Sequence, residues 1–124
     1  FDPKAAPTAT LVYGVDGKAL TADTEGLTIM RDGPRKYLVA SSQGDSTFAV
    51  FDRKPPHAFV RSVRITAGQF GAVEETDGIE VCLLPLGPRY PHGVFVAQDG
   101  INSPGQNFKI VEWPRFAETL TPAK

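Results

Sequence analysis

Apolar and polar positions alternate along this chain in short runs, and the order of the runs is stated twice. Leu27-Thr28-Ile29-Met30, Tyr37-Leu38-Val39-Ala40 and Phe48-Ala49-Val50-Phe51 are separated by the turn-forming groups Asp32-Gly33-Pro34 and Gly44-Asp45-Ser46. Runs rich in β-branched and aromatic residues, bounded by Gly, Pro and Asp, predict strands rather than helices. The predicted strands fall near 27–31, 36–42, 47–52 and 58–65, with Pro55-Pro56 marking the third connection. A second group falls near 79–84, 93–98 and 107–112, and Pro85, Pro88 and Pro91 punctuate its first loop. Leu11-Val12-Tyr13 predicts a further short strand. Arg115-Phe116-Ala117-Glu118-Thr119-Leu120, just after Trp113-Pro114, predicts a single helical turn.

The two groups align with each other. Glu25-Gly26 opens the first and Asp77-Gly78 the second, each directly before a strand. Gln43-Gly44-Asp45 closes the second strand of one copy and Gln98-Asp99-Gly100 that of the other, which sets Gln43 against Gln98 in the repeat. A period of about fifty residues, with several short strands per copy, is the sequence signature of a β-propeller blade. The predicted fold class is therefore all-β: about two blades, each a four-stranded antiparallel sheet, of an incomplete ring. Residues 1–24 would connect from a preceding blade. Residues 25–66 would form one blade, and 67–124 a second blade lacking its outer strand. A closed propeller needs at least four blades of about forty residues, so the chain is expected to be a fragment. Its bare edges and faces should pack against the remaining blades or self-associate.

Composition removes several functions. A net charge of −1 leaves no basic field for nucleic acid or an anionic membrane. No apolar run approaches the roughly 20 residues that span a bilayer. Cys82 is the one cysteine, which excludes an internal disulfide and a cysteine-based zinc site, and its strand context reads as a buried thiol. His57 and His92 stand beside prolines in loops and read as surface residues. No nucleophile elbow, phosphate-binding glycine loop or paired-histidine motif occurs.

What remains is acid. Asp23-Thr24-Glu25-Gly26 and Glu74-Glu75-Thr76-Asp77-Gly78 precede repeat-matched strands, so both should lie at the same end of adjacent sheets. Carboxylates converging there without Lys or Arg partners repel one another. A hard cation such as Ca²⁺, which takes six to eight oxygen ligands, resolves that repulsion. The competing reading is that the Glu-Gly and Asp-Gly pairs merely make turns. Gln98-Asp99-Gly100-Ile101-Asn102 carries the same ambiguity: Asp99 and Asn102 suit a cation loop, and equally a hairpin turn.

Taken in order, Asp23 to Ile29, Val39-Ala40-Ser41-Ser42-Gln43-Gly44, Thr76-Asp77-Gly78-Ile79, Gly93 to Gly100 and Gln106-Asn107-Phe108-Lys109 resemble the C-terminal part of the β-propeller phytases. The resemblance runs from the first residues to Trp113, and it implies that Phe1 ends a strand of the preceding blade. It implies a six-bladed, calcium-dependent phosphatase that acts on phytate (myo-inositol hexakisphosphate) and is secreted or periplasmic. Asp23, Glu25 and Asp77 match the family's carboxylates for active-site calcium, and so its catalytic set. Gln43 matches a glutamine near the substrate phosphates, and Asp99 and Asn102 match a loop that holds a structural calcium. The loop Gly68-Gln69-Phe70-Gly71-Ala72-Val73 lacks an aspartate that the family carries, leaving Glu74 or Glu75 as substitutes. The family's phosphate-holding Lys, Arg and Tyr residues belong to earlier blades, so the chain alone is expected to be inactive. The alternative is a non-catalytic binding or structural module of propeller type that calcium merely stabilises.

Overall fold

Turn chemistry divides the chain where the pattern predicts. In the computed structural model of the protein, which describes residues 9–121, four strands form one antiparallel sheet in chain order: β1 (Leu27–Asp32), β2 (Arg35–Ser42), β3 (Thr47–Asp52) and β4 (Phe59–Val63). A second antiparallel sheet contains β5 (Ile79–Cys82), β6 (Val94–Asp99) and β7 (Asn107–Glu112), followed by the short helix α1 (Trp113–Glu118). Gly33 links β1 to β2 at a φ of 56°, a left-handed conformation that glycine adopts without a Cβ clash. The expected position of Phe1 lies outside the described residues.

The two sheets stack face to face. Met30, Val39, Phe48, Val50 and Val63 of the first meet Phe95 and Ala97 of the second, and α1 closes the layer with Trp113 and Phe116. Phe95 is the centre of this core. Its ring stacks on Phe116 at 4.3 Å between centroids and meets Phe48 edge-on at 5.1 Å. Aromatic pairs in these geometries stabilise beyond the area they bury.

The opposite face of the first sheet carries Ala40, Ala49 and Phe51, covered by Tyr13, Ala19 and Leu20 from the preceding loop. Asp16 shapes that loop. Its Oδ1 accepts the backbone N–H groups of Lys18 and Ala19, both at 2.9 Å, and of Leu20 at 3.2 Å, while Oδ2 accepts the Tyr13 hydroxyl at 2.9 Å. Those donors, the Lys18 N–H foremost, hold the Asp16 carboxyl far below the usual carboxylate range, and Asp16 pushes the Tyr13 phenol up.

The expected strand at Leu11-Val12-Tyr13 does not form. Leu11 and Val12 are exposed with no sheet edge beside them, and Tyr13 instead packs its ring 4.8 Å from Phe51. Strand β5 ends at Cys82, two residues early, where the backbone of Gly93 lies close beside it: a Cβ on Gly93 would lie 2.1 Å from the Cys82 carbonyl oxygen. The helix begins at Trp113 rather than Arg115, with Pro114 in the first turn, where a missing N–H breaks no helical bond. Among the described residues no helix is long and apolar enough to cross a membrane.

The strand register corrects the repeat alignment. Leu27 pairs with Ala40, and Ile79 pairs with Ala97. Matching Leu27 to Ile79 therefore matches Ser41 to Gln98, Ser42 to Asp99 and Gln43 to Gly100. Gln43 is not the counterpart of Gln98. The glutamine-then-turn motif tracks where a turn begins, whereas Gln98 and Asp99 still lie within the ladder of β6.

Truncating the central ring tests this core. Phe95→Ala should cost about 3–5 kcal/mol, measured by urea denaturation. Phe108→Ala, at a side chain 71% exposed, should change stability by no more than about 0.5 kcal/mol. Similar losses in both variants would show that the sheets are not joined through Phe95.

Candidate functional site

The first strands of the two sheets run side by side. A Cβ added to Gly26 would lie 3.0 Å from both the Asp77 carbonyl oxygen and the Ile79 nitrogen. Further along, the Thr28 hydroxyl donates to Glu80 Oε1 at 2.7 Å, and the same oxygen accepts the Val81 N–H at 2.7 Å. These two bonds, Thr28 first, hold the Glu80 carboxyl below the usual range. The residues just before β1 and β5 consequently emerge at one shared rim. Asp23, Glu25 and Asp77 are all exposed there. The one ion pair among the described residues is Lys109–Asp99, so the rim carboxylates have no cationic side chain as partner.

Buried polar side chains at the ends of β2 and β6 hold each acid loop. Ser41 Oγ accepts the N–H groups of Gly26 at 2.7 Å and Glu25 at 3.2 Å, and Ser42 Oγ accepts that of Thr21 at 2.8 Å. In the second copy, Gln98 Oε1 accepts the Asp77 N–H at 2.8 Å, and Asp99 Oδ1 accepts the Glu74 N–H at 3.0 Å. The register-matched pairs Ser41-Ser42 and Gln98-Asp99 thus perform one task with different chemistry. Removing such a partner leaves a buried backbone donor unsatisfied, at a cost of roughly 1–3 kcal/mol. Glycine completes both anchors. A Cβ on Gly44 would lie 2.1 Å from the Ala22 carbonyl oxygen, and one on Gly100 would lie 2.5 Å from that of Glu75. The acid-loop backbone passes directly over each glycine.

Two hydrogen bonds cross between the sheets at the rim: Gln43 Nε2 donates to Asp77 Oδ1 at 2.7 Å, and the Glu75 N–H donates to Ser46 Oγ at 3.4 Å. The Gln43 backbone N–H also donates to the Asp23 carbonyl at 2.9 Å. Gln43 therefore links the loops that carry Asp23 and Asp77, and Glu25 stands on the same rim. The donor set is carboxylate and amide oxygen, the kind that Ca²⁺ accepts. Among the described residues no three His, Cys, Asp or Glu side chains gather closely enough to enclose an ion. The set suits such an ion by the chemistry of its oxygens but does not enclose one by itself.

Asp99 and Asn102 are placed differently. Asp99 is wholly buried, and its Oδ2 lies 2.5 Å from Lys109 Nζ while Oδ1 takes the Glu74 N–H. Lys109 donates in addition to the Ala72 carbonyl. Burial pushes the Asp99 carboxyl up, but the Lys109 hydrogen bond, the Glu74 N–H and the ammonium charge outweigh it and hold the group below its ordinary value. Asn102 Nδ2 donates to the Gly105 carbonyl at 3.1 Å within its own turn. Both Asp99 oxygens are thus engaged by protein donors, and an ion there would have to displace the Lys109 ammonium.

Paired antiparallel sheets stacked as neighbouring blades, with their acid loops at a common rim, define part of a β-propeller with an acidic mouth. The chain belongs to the Phytase family, whose model matches residues 1–123. It is 41% identical over 126 residues to the 3-phytase of Bacillus subtilis (strain 168), an alignment that covers 96% of this chain and 33% of that relative. The chain thus spans about a third of the length of the curated relative it matches.

The Asp99–Lys109 pair yields a test with a sign. Asp99 has a depressed pKa when folded, so its contribution is fully present above the unfolded value of about 3.9 and is lost as pH falls toward the folded value. Lys109→Met leaves the carboxylate buried without its countercharge, which should cost about 3–5 kcal/mol at neutral pH. Denaturation midpoints followed from pH 7 to pH 4 should show that deficit shrinking as protonation relieves the buried charge. A deficit independent of pH would refute the pairing.

Proposed function

We propose that this chain supplies the acidic, metal-holding part of a calcium-dependent phosphomonoester hydrolase acting on phytate. The observation that carries the reading is the shared rim. Two repeat-matched acid loops stand together, bridged by Gln43 and Asp77, in a chain of the Phytase family. Asp23, Glu25 and Asp77 would hold calcium, with Gln43 beside the substrate phosphates. Bound calcium supplies Lewis-acid neutralisation of phosphate charge, which bare carboxylates would repel.

The chain's own residues set the geometry of that rim. Gln43 orients the Asp77 carboxylate through Oδ1. Gln98 fixes the Asp77 backbone from below, and Ser41 does the same for Glu25. This preorganisation matters because misplaced ligands lose the orientation on which catalysis depends.

The ring that completes the site would come from further blades of a longer protein of the secreted or periplasmic type. Two observations support further blades. Leu27 and Ile29 on one outer face, and Phe108 and Ile110 on the other, are more than half exposed. Gly26 is covered by the start of β5, whereas a Cβ on the repeat-matched Gly78 would meet nothing within 4 Å, leaving room for another first strand. The chain alone should then self-associate through these faces and show little or no phytate hydrolysis, because phosphate-holding cations from other blades are missing.

In the full-length protein, Asp77→Ala should abolish calcium-dependent phosphate release from phytate, and Gln43→Ala should reduce it by at least tenfold. Unchanged turnover in Asp77→Ala would sink the assignment. Titrating phytate with and without calcium separates the alternative: a module that calcium merely stabilises would gain in melting temperature without gaining affinity for phosphate.

A further inference from the structure

The far end of the first sheet carries the opposite charge. Strands β1 and β2 lead away from the acid rim for six residues or more, or about 20 Å at the usual rise per residue. The β1–β2 hairpin and the end of β3 then bound a cleft of about 690 Å³. Arg31, Arg35, Lys36, Arg53 and Lys54 line it, with Tyr37 and Asp52. Five cations thus share one cleft in a chain whose net charge is −1. None of them is ion-paired with a carboxylate among the described residues.

The strand register sharpens this concentration. Arg31 lies directly opposite Lys36 across the β1–β2 ladder, an arrangement of like charges that destabilises a sheet. The Arg53 N–H donates to the Lys36 carbonyl at 3.0 Å, which brings a third cation alongside. Asp52 lines the same cleft and offsets part of this charge, but it forms no ion pair with the five. Its Oδ1 accepts the Lys54 backbone N–H at 2.7 Å. Asp32 stands opposite Arg35 across the ladder without forming an ion pair, so five cations stand here with two carboxylates, and a like-charge pair kept in register within that excess is relieved by an anion.

We propose that this cleft is a second, calcium-independent binding site for small polyanions bearing several phosphate groups. The volume lies within the ordinary range for small-molecule sites. Arginine favours phosphate because its planar fork gives two parallel hydrogen bonds, and three arginines line the cleft. Uncompensated cations in a concave surface also raise the local concentration of anions. The site is independent of the acid rim and makes the opposite demand: the rim needs a metal before phosphate can approach, whereas this cleft needs none.

The probe is inorganic tripolyphosphate, titrated by calorimetry into the chain in EDTA, with citrate as the carboxylate control. Binding should occur without calcium, exceed that of citrate, and weaken steeply between low and high salt as the charges are screened. Arg35→Glu with Lys36→Glu should weaken it at least tenfold, and Asp77→Ala should leave it unchanged. Amide shift mapping on the unaltered chain serves if the double variant fails to fold: Lys36, Arg53 and Lys54 should move, and the loops at 23–26 and 74–78 should not. No binding in EDTA, equal binding of citrate, or shifts confined to the acid loops would each overturn the proposal. Loss of phytate hydrolysis in Asp77→Ala bears only on the rim, so the two readings fail separately.

Discussion

The arrangement rests on one close approach, that of β5 to β1 at Gly26. Because this residue has no Cβ, the Asp77 carbonyl and the Ile79 nitrogen come to about the distance at which a methyl group would begin to clash. That contact sets the two sheets in phase. Once Gly26 and Asp77 are in phase, Thr28 meets Glu80, Gln43 meets Asp77, and the acid loops open at the same end. Any larger side chain at Gly26 would push β5 away and separate the carboxylates before it disturbed either sheet on its own.

The second constraint is that each acid loop must be held without neutralising its acids. Lysine or arginine anchors at the rim would have paired with Asp23, Glu25 or Asp77 and removed the negative field. Neutral or acidic acceptors aimed at backbone N–H groups avoid this. Ser41, Ser42 and Gln98 are neutral, and Asp99 has its charge balanced from below by Lys109. The one ion pair among the described residues therefore holds the loop of the second sheet while leaving the rim itself unpaired. Buried pairs of this kind contribute little net stability but are costly to break, which suits a device whose purpose is position.

Much of the architecture was legible from the chain. Strand positions followed from β-branched runs between glycine and proline turns, and the acid loops from their repeat-matched places. The anchors were not legible, because the two copies use serine in one and glutamine or aspartate in the other, and the eye aligns Gln43 with Gln98. Only the ladder register, Leu27 with Ala40 and Ile79 with Ala97, shows that Ser41 is the true counterpart. Strand β7 departs from simple patterning. Binary patterning turns Phe108 and Ile110 inward and Lys109 out, yet the two apolar side chains are 71% and 52% exposed and the lysine side chain only 11%. The demand of the buried Asp99 carboxylate outweighs the local pattern, and the apolar pair is left for whatever packs on that face.

Charge is sorted along the strands rather than between the sheets. Acids gather where β1 and β5 begin, and bases outnumber acids where β1 ends and β2 starts, five against Asp32 and Asp52. A random distribution of 13 cationic and 14 acidic residues would let neighbours pair on the surface, as exposed charges commonly do at small gain. Here the rim carboxylates and the five cleft cations are kept apart by the length of the first sheet, and neither group pairs with the other. Surface ion pairs contribute too little to stability for their loss to matter to the fold. What the separation leaves is an exposed acidic rim at one end of the sheet and a basic cleft at the other, the two ends at which we propose a hard cation and a multiply charged anion.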